Sequence, residues 1–243
     1  NAGDSVTDAT PLVDPLASDY ANIGATIGAA ATDAENLALL NDIIGAAQQA
    51  DVNTVAEINE LARIANAIQT IAAGGTPTPA LTDADFAKVG LSGVTADNLA
   101  AVRNAIAAQA DGGAATDSLS ELQTIIGNAI TAYQNALNNI SGAADANNAT
   151  GSTPSAQTYA DAGVSGVNSN NNAAINDALN SAAVNGNAAN SAAEVQAIVN
   201  SYNAILAEAN DLDANAGDTV ADATPAADPL ASDYQNIGVT LGD

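Results

Sequence analysis

The chain reads as an all-α protein built as three tandem small three-helix bundles in an elongated repeat array, and three observations predict this. Residues 1–28 return at 215–242, with 21 of 28 positions identical at a fixed offset of 214, which marks one period of a tandem array and the start of the next. An aromatic followed four residues later by Gly recurs as Tyr20/Gly24, Phe86/Gly90, Tyr159/Gly163 and Tyr234/Gly238, at separations of 66, 73 and 75 residues that together fill the same 214. Apolar residues recur at spacings of three and four, and no window keeps the period-two alternation of a strand.

Each sub-repeat opens with a short helix. DPLASDYANIG, LTDADFAKVG and QTYADAG offer a cap, one or two turns and a Gly placed to end the helix in the left-handed conformation. In Asp14-Pro15 and Asp228-Pro229, the Asp is the expected cap and Pro the first helical residue, where its missing N–H costs nothing. A medium helix follows, with Leu37, Leu40 and Ile44 matching Leu99, Val102 and Ile106 and then Asn172, Ile175 and Leu179 on one face; Thr32, Thr95 and Asn168 are its expected caps.

The third helix is the longest. Thr54/Glu57, Ser118/Glu121 and Ser191/Glu194 each have the spacing of a capping box, in which the hydroxyl accepts from the N3 amide and the Glu returns to the cap amide. The stretches 74–80 and 141–157, rich in Gly, Pro, Ser and Thr, read as exposed connections. The expected divisions are therefore sub-repeats at 1–75, 76–150 and 151–213, with 214–243 as the junction and start of the next 214-residue repeat.

Composition excludes much chemistry. There is no His, Cys, Met or Trp, and Arg63, Lys88 and Arg103 are the only bases. Without imidazole or thiol the usual general bases, nucleophiles and soft metal ligands are missing, so no enzyme is expected. A formal charge of -25 repels nucleic acid and anionic membrane surfaces, and no apolar run is long enough for membrane insertion. Cations, above all Ca²⁺, are the natural small partners.

The candidate metal site lies at the junction. DLDANAGDTVAD places Asp211, Asp213, Asn215 and Asp222 at positions 1, 3, 5 and 12 of a loop, with Thr219 at position 9, which approximates the ligand spacing of an EF-hand. Gly217 falls at position 7 rather than 6, and Asp replaces the bidentate Glu. The other reading is an acidic, solvated linker. Asp83 and Asp85, a conceivable acid/base couple, sit at a helix start, where they favour its positive end. The repeated aromatics read as anchors pinning each short helix to the other two.

The segments DFAKVGLSGVTADNLAAVRNAI and TYADAGVSGVNSNNNAAINDAL resemble the tandem helical repeats of very large, acidic, exported bacterial surface adhesins of the type I-secreted or biofilm-associated kind. The resemblance implies an extracellular extender or stalk carrying terminal binding domains away from the cell, with Ca²⁺ supporting rigidity. It carries no catalytic residue onto this chain. The expected partners are neighbouring copies of the same repeat. A helical binding or self-assembly module, forming a filament or surface layer or holding a host protein, is the alternative.

Overall fold

The computed structural model describes residues 14–109, 115–146, 153–209 and 228–242, and its regular structure is entirely helical, with no strand among them. The α-helices are α1 (Ala17–Asn22), α2 (Ala34–Ala46), α3 (Val55–Ala72), α4 (Asp83–Lys88), α5 (Leu99–Ala107), α6 (Leu119–Ala146), α7 (Ala156–Asp161), α8 (Asn172–Leu179), α9 (Ala192–Ala209) and α10 (Ala231–Asn236). Their lengths run 6, 13 and 18 residues, then 6, 9 and 28, then 6, 8 and 18, and finally 6. The class is all-α.

The long helices begin where the capping signals put them. Thr54 accepts from the Glu57 amide at 3.2 Å while Glu57 accepts from the Thr54 amide at 2.9 Å, and Ser191 and Glu194 exchange the same pair at 3.3 and 3.1 Å. Ser118 accepts from the Glu121 amide at 3.3 Å. Each such cap contributes about 1 kcal/mol.

The medium and short helices start later than their sequences suggest. The cap position of the medium ones falls on Asp33, Asn98 and Asn171 rather than Thr32, Thr95 and Asn168, and of the three only Asp33 makes a side-chain cap bond. For α5 and α8 the reason is a turn: the Asn98 and Asn171 side chains accept from the amides of Thr95 and Asn168 at 2.9 and 2.7 Å, so those residues open a turn and the helix follows it. Likewise α1 and α10 are preceded by Leu16 and Leu230, not capped by the Asp-Pro pairs. Asp19 and Asp233 accept from those Leu amides at 2.8 and 2.7 Å and so perform the carboxylate half of a capping box.

Residues 141–146 belong to α6, not to a connection. Ala143 and Ala144 are buried and extend the face of Ala136 and Ile140. Asp145 accepts from the Gly186 amide at 2.6 Å, and Ser141 donates to the Gly186 carbonyl at 3.1 Å. Tertiary bonding thus carries the helix past Gly142, against its weak intrinsic propensity.

The aromatic-to-Gly spacing is a helix-ending motif in all four copies. Gly24, Gly90, Gly163 and Gly238 have φ of 80°, 81°, 74° and 85°. In each, the Gly amide bonds the carbonyl three residues back, and the next amide bonds the aromatic's own carbonyl at 2.8 to 3.0 Å. These are the paired bonds of a Schellman motif. The aromatic occupies the position whose carbonyl closes the outer bond, which is why the two residues keep their spacing.

The chain divides into two compact units, Asn1–Ile130 and Thr131–Asp243. The first is centred on Leu40, Ile64, Ile68, Phe86, Val102, Ile106, Leu122 and Ile126. The second is centred on Ile140, Tyr159, Ile175, Leu179, Val195 and Val199. Each buried large aliphatic contributes roughly 1.5–3 kcal/mol of transfer free energy. Ala fills much of the remaining core, so the few large side chains carry most of that gain.

Candidate functional site

The short helices supply the site, because the same local frame appears four times with different surroundings. In the first unit, α4 is enclosed. Phe86, Val89 and Leu91 are all buried. On the α3 side, Arg63 bonds both Glu60 and Asp85, and Lys88 reaches Glu60 at 3.2 Å. The Arg63 hydrogen bond holds Glu60 below its ordinary pKa, with Lys88 adding to it. For Asp85 burial pushes upward, but the Thr82 amide and hydroxyl together with Arg63 outweigh it and leave the carboxyl lowered. On the other side, Arg103 of α5 donates to the Leu81 carbonyl. All three basic side chains of the protein therefore hold this one helix in place.

In the second unit, α7 is enclosed without charge. Tyr159 donates to Asn176 at 2.7 Å, and Asn176 donates to the Pro154 carbonyl at 2.9 Å. Burial pushes the Tyr159 hydroxyl up. The first unit repeats this arrangement at α1, where Tyr20 donates to Asn41 at 2.6 Å and Asn41 to the Pro15 carbonyl at 3.0 Å. Burial first, then the charges of Asp14 and Asp19, push Tyr20 up to about 12. The substitution in the middle copy is matched. Phe86 has no hydroxyl to donate, and Arg103, a pure donor, stands where the other copies place Asn.

A second clip recurs on the three long helices α3, α6 and α9. Asn59, Gln123 and Gln196 accept from the amides of Thr26, Ser92 and Ser165 at 2.7, 2.9 and 2.8 Å. They tie the long helix to the loop that leaves the short one. The signal was present in the sequence, since each amide side chain stands two residues after the capping-box Glu.

The duplicated segment appears at α1 and at α10 with opposite faces covered. At α1, Tyr20 and Ile27 are each 4% exposed beneath the elements that follow, while Ile23 is 53% exposed. At α10, Ile237, the counterpart of Ile23, packs against the second core. There Ser201 of α9 donates to Asp233 at 2.8 Å and accepts from Asn236 at 3.0 Å. Leu241, the counterpart of Ile27, is 43% exposed, and Tyr234 is half-buried. Among the described residues, α4 and α7 are covered on both faces, α1 on the side of the elements that follow it and α10 on the side of those that precede it.

No family model, curated protein or solved structure matches this chain.

The sequence-predicted calcium ligands, Asp211, Asp213, Asn215 and Asp222, lie outside the described residues. Asp83 and Asp85 stand in the first turn of α4, with Asp85 bonded to the capping Thr82 and to Arg63. A cavity of about 320 Å³ in the first unit is lined by Asn59, Arg63, Asn66 and Thr70 together with Pro77 and Pro79. Four of its polar side chains already bond within the protein: Asn59 to Thr26, Arg63 to Glu60 and Asp85, Asn66 to Ile27, and Thr70 to Asn66. Among the described residues no helix is long and apolar enough to cross a membrane.

Proposed function

We propose that this chain is one period of a structural spacer in a large extracellular bacterial surface adhesin or fibre. Its three short-medium-long sub-repeats form successive small bundles of a tandem array. The observation that supports this most is the duplicated segment: α1 and α10 present complementary uncovered halves of one surface, as expected where each period hands on to the next. Repeats that contact only their neighbours build reach rather than a reaction centre. The charge of -25 keeps such an array soluble and self-repelling.

In this reading the acidic segment at 211–222 is the seam between periods, and Ca²⁺ held by Asp211, Asp213, Asn215 and Asp222 stiffens it. Small-angle scattering on one-, two- and three-period chains, with Ca²⁺ and with a chelator, tests both parts. A maximum dimension that grows in equal steps with period number supports the spacer, and a further increase with Ca²⁺ supports the metal seam. Near-spherical scattering from every chain under both conditions refutes the spacer.

A second reading is a self-assembling subunit of a filament or surface layer. The exposed Leu16, Ile23, Leu230, Val239 and Leu241, all in the two copies of the duplicated segment, favour it. Filaments of the one-period chain at micromolar concentration, seen by negative-stain microscopy, are its expected signature.

A further inference from the structure

The two copies of the duplicated segment share one backbone frame but bury opposite faces, and from this we infer an exchangeable joint between separate copies of the chain, in which both copies compete for one surface. The surface is the start of the first unit, where Asn41 of α2 accepts from the Tyr20 hydroxyl and donates to the Pro15 carbonyl. Tyr234 and Pro229 are the counterparts of Tyr20 and Pro15, and the backbone frame that carries them is the same. Both copies end on a left-handed Gly, with φ of 80° and 85°. In both, the amide after that Gly returns to the Tyr carbonyl, at 2.9 and 2.8 Å. Both also hold their first turn with the same Asp to Leu amide bond, at 2.8 and 2.7 Å.

The occupant of the free face of α10 is thus a second copy's α2, with Asn41 of that copy taking the Tyr234 hydroxyl and α10 replacing that copy's α1. The face α10 uses on its own α9, through Ile237, Asp233 and Asn236, is not needed for this contact. One helix can therefore bridge two chains. The tethered α1 competes at an effective concentration on the order of millimolar, so the unaltered protein stays monomeric at micromolar concentration and α10 wins only when α1 is weakened.

The inference rests on the tandem-joint part of the proposed function, but it concerns separate chains. A negative result here leaves the scattering test of joined periods untouched. The experiment uses the full chain with Tyr20→Ala, with Tyr20→Ala plus Tyr234→Ala, and with the milder Tyr20→Leu, which keeps most of the apolar volume but loses the ring and the Asn41 bond. Mass is followed by sedimentation equilibrium from about 10 μM to 1 mM, the range bracketing that effective concentration, and circular dichroism monitors helix content.

The expected result is that Tyr20→Ala associates head to tail with mass rising through dimer, that Tyr20→Leu does so at higher concentration, and that adding Tyr234→Ala restores the monomer. A helical, monomeric Tyr20→Leu across the whole range overturns the inference. So does equal association of the single and double alanine variants, which is the outcome for unspecific exposure of core or for capture by some other surface.

Discussion

Helices α4 and α10 have the same length, the same left-handed Gly end and the same docking onto a preceding long helix, yet one is enclosed and the other half open. Phe86 is fully buried, whereas Tyr234 is half-buried and Leu241 beyond it is 43% exposed. The attachment also differs in kind. At α4 it is ionic, through Arg63, Lys88, Glu60 and Asp85; at α10 it is neutral on one side, through Ser201. The local frame therefore belongs to the helix itself, while burial and strength of attachment are set by its neighbours. A six-residue helix is too short to persist without them.

The largest expected contrast comes from removing the anchors. Phe86→Ala empties a fully buried site and is expected to cost about 3–5 kcal/mol. Tyr234→Ala, at a side chain that is only partly buried, should cost under about 1 kcal/mol of global stability. Urea denaturation of the two variants measures both, and equal losses would break the comparison.

Next comes the ionic clamp. Arg63→Met leaves Asp85 buried without its cation and should cost roughly 2 kcal/mol, while Ser201→Ala should leave the unfolding midpoint of the whole chain nearly unchanged. The clamp also fixes a pH dependence. Glu60 and Asp85 have lowered folded-state pKa values, so their contribution is present above the ordinary carboxylate range near pH 4 and is lost as pH falls through the folded values. Comparing stability at pH 6 and pH 3 should show a smaller acid loss in Arg63→Met than in the parent. An unchanged loss would mean the clamp does not couple protons to folding.

A smaller effect separates two glycines. Gly24→Ala meets open space and bears only the left-handed strain of about 1 kcal/mol, whereas Gly238→Ala bears the same strain and also runs into Ser181 and Ala183. The second variant should therefore release α10 from the second unit, read as faster amide exchange at Val239, while the first leaves α1 in place.

The smallest effect is at alkaline pH. Tyr20 holds its proton to about 12, above the ordinary value near 10, so its contribution is intact below pH 10 and is lost as pH rises through about 12. Tyr20→Phe should flatten that decline, with little change at pH 7 beyond the loss of the Asn41 bond.

Much of this was legible in the sequence because local physics determined it. The helical class, the three boxes at Thr54, Ser118 and Ser191, and the four left-handed glycines all follow from signals within four residues. What was not legible depends on partners far along the chain. α6 continues through Gly142 because Asp145 and Ser141 bond Gly186. The medium helices start late in part because Asn98 and Asn171 fold back on their own turns. Asn41, Arg103 and Asn176 stand at equivalent positions of the repeat, but their bonds to Tyr20, the Leu81 carbonyl and Tyr159 needed the fold to bring the partners together. The calcium ligands proposed at 211–222 lie outside the described residues.

The central claim is that α10 is the first half of a joint completed by the elements that follow it in the next period. Amide hydrogen exchange tests it directly, comparing the chain ending at residue 243 with one that continues into a second period. The account predicts that the Gly238 and Val239 amides gain protection of at least tenfold in the joined chain, approaching Gly24 and Ala25. Unchanged exchange at α10, in a joined chain whose second period is folded, would contradict it.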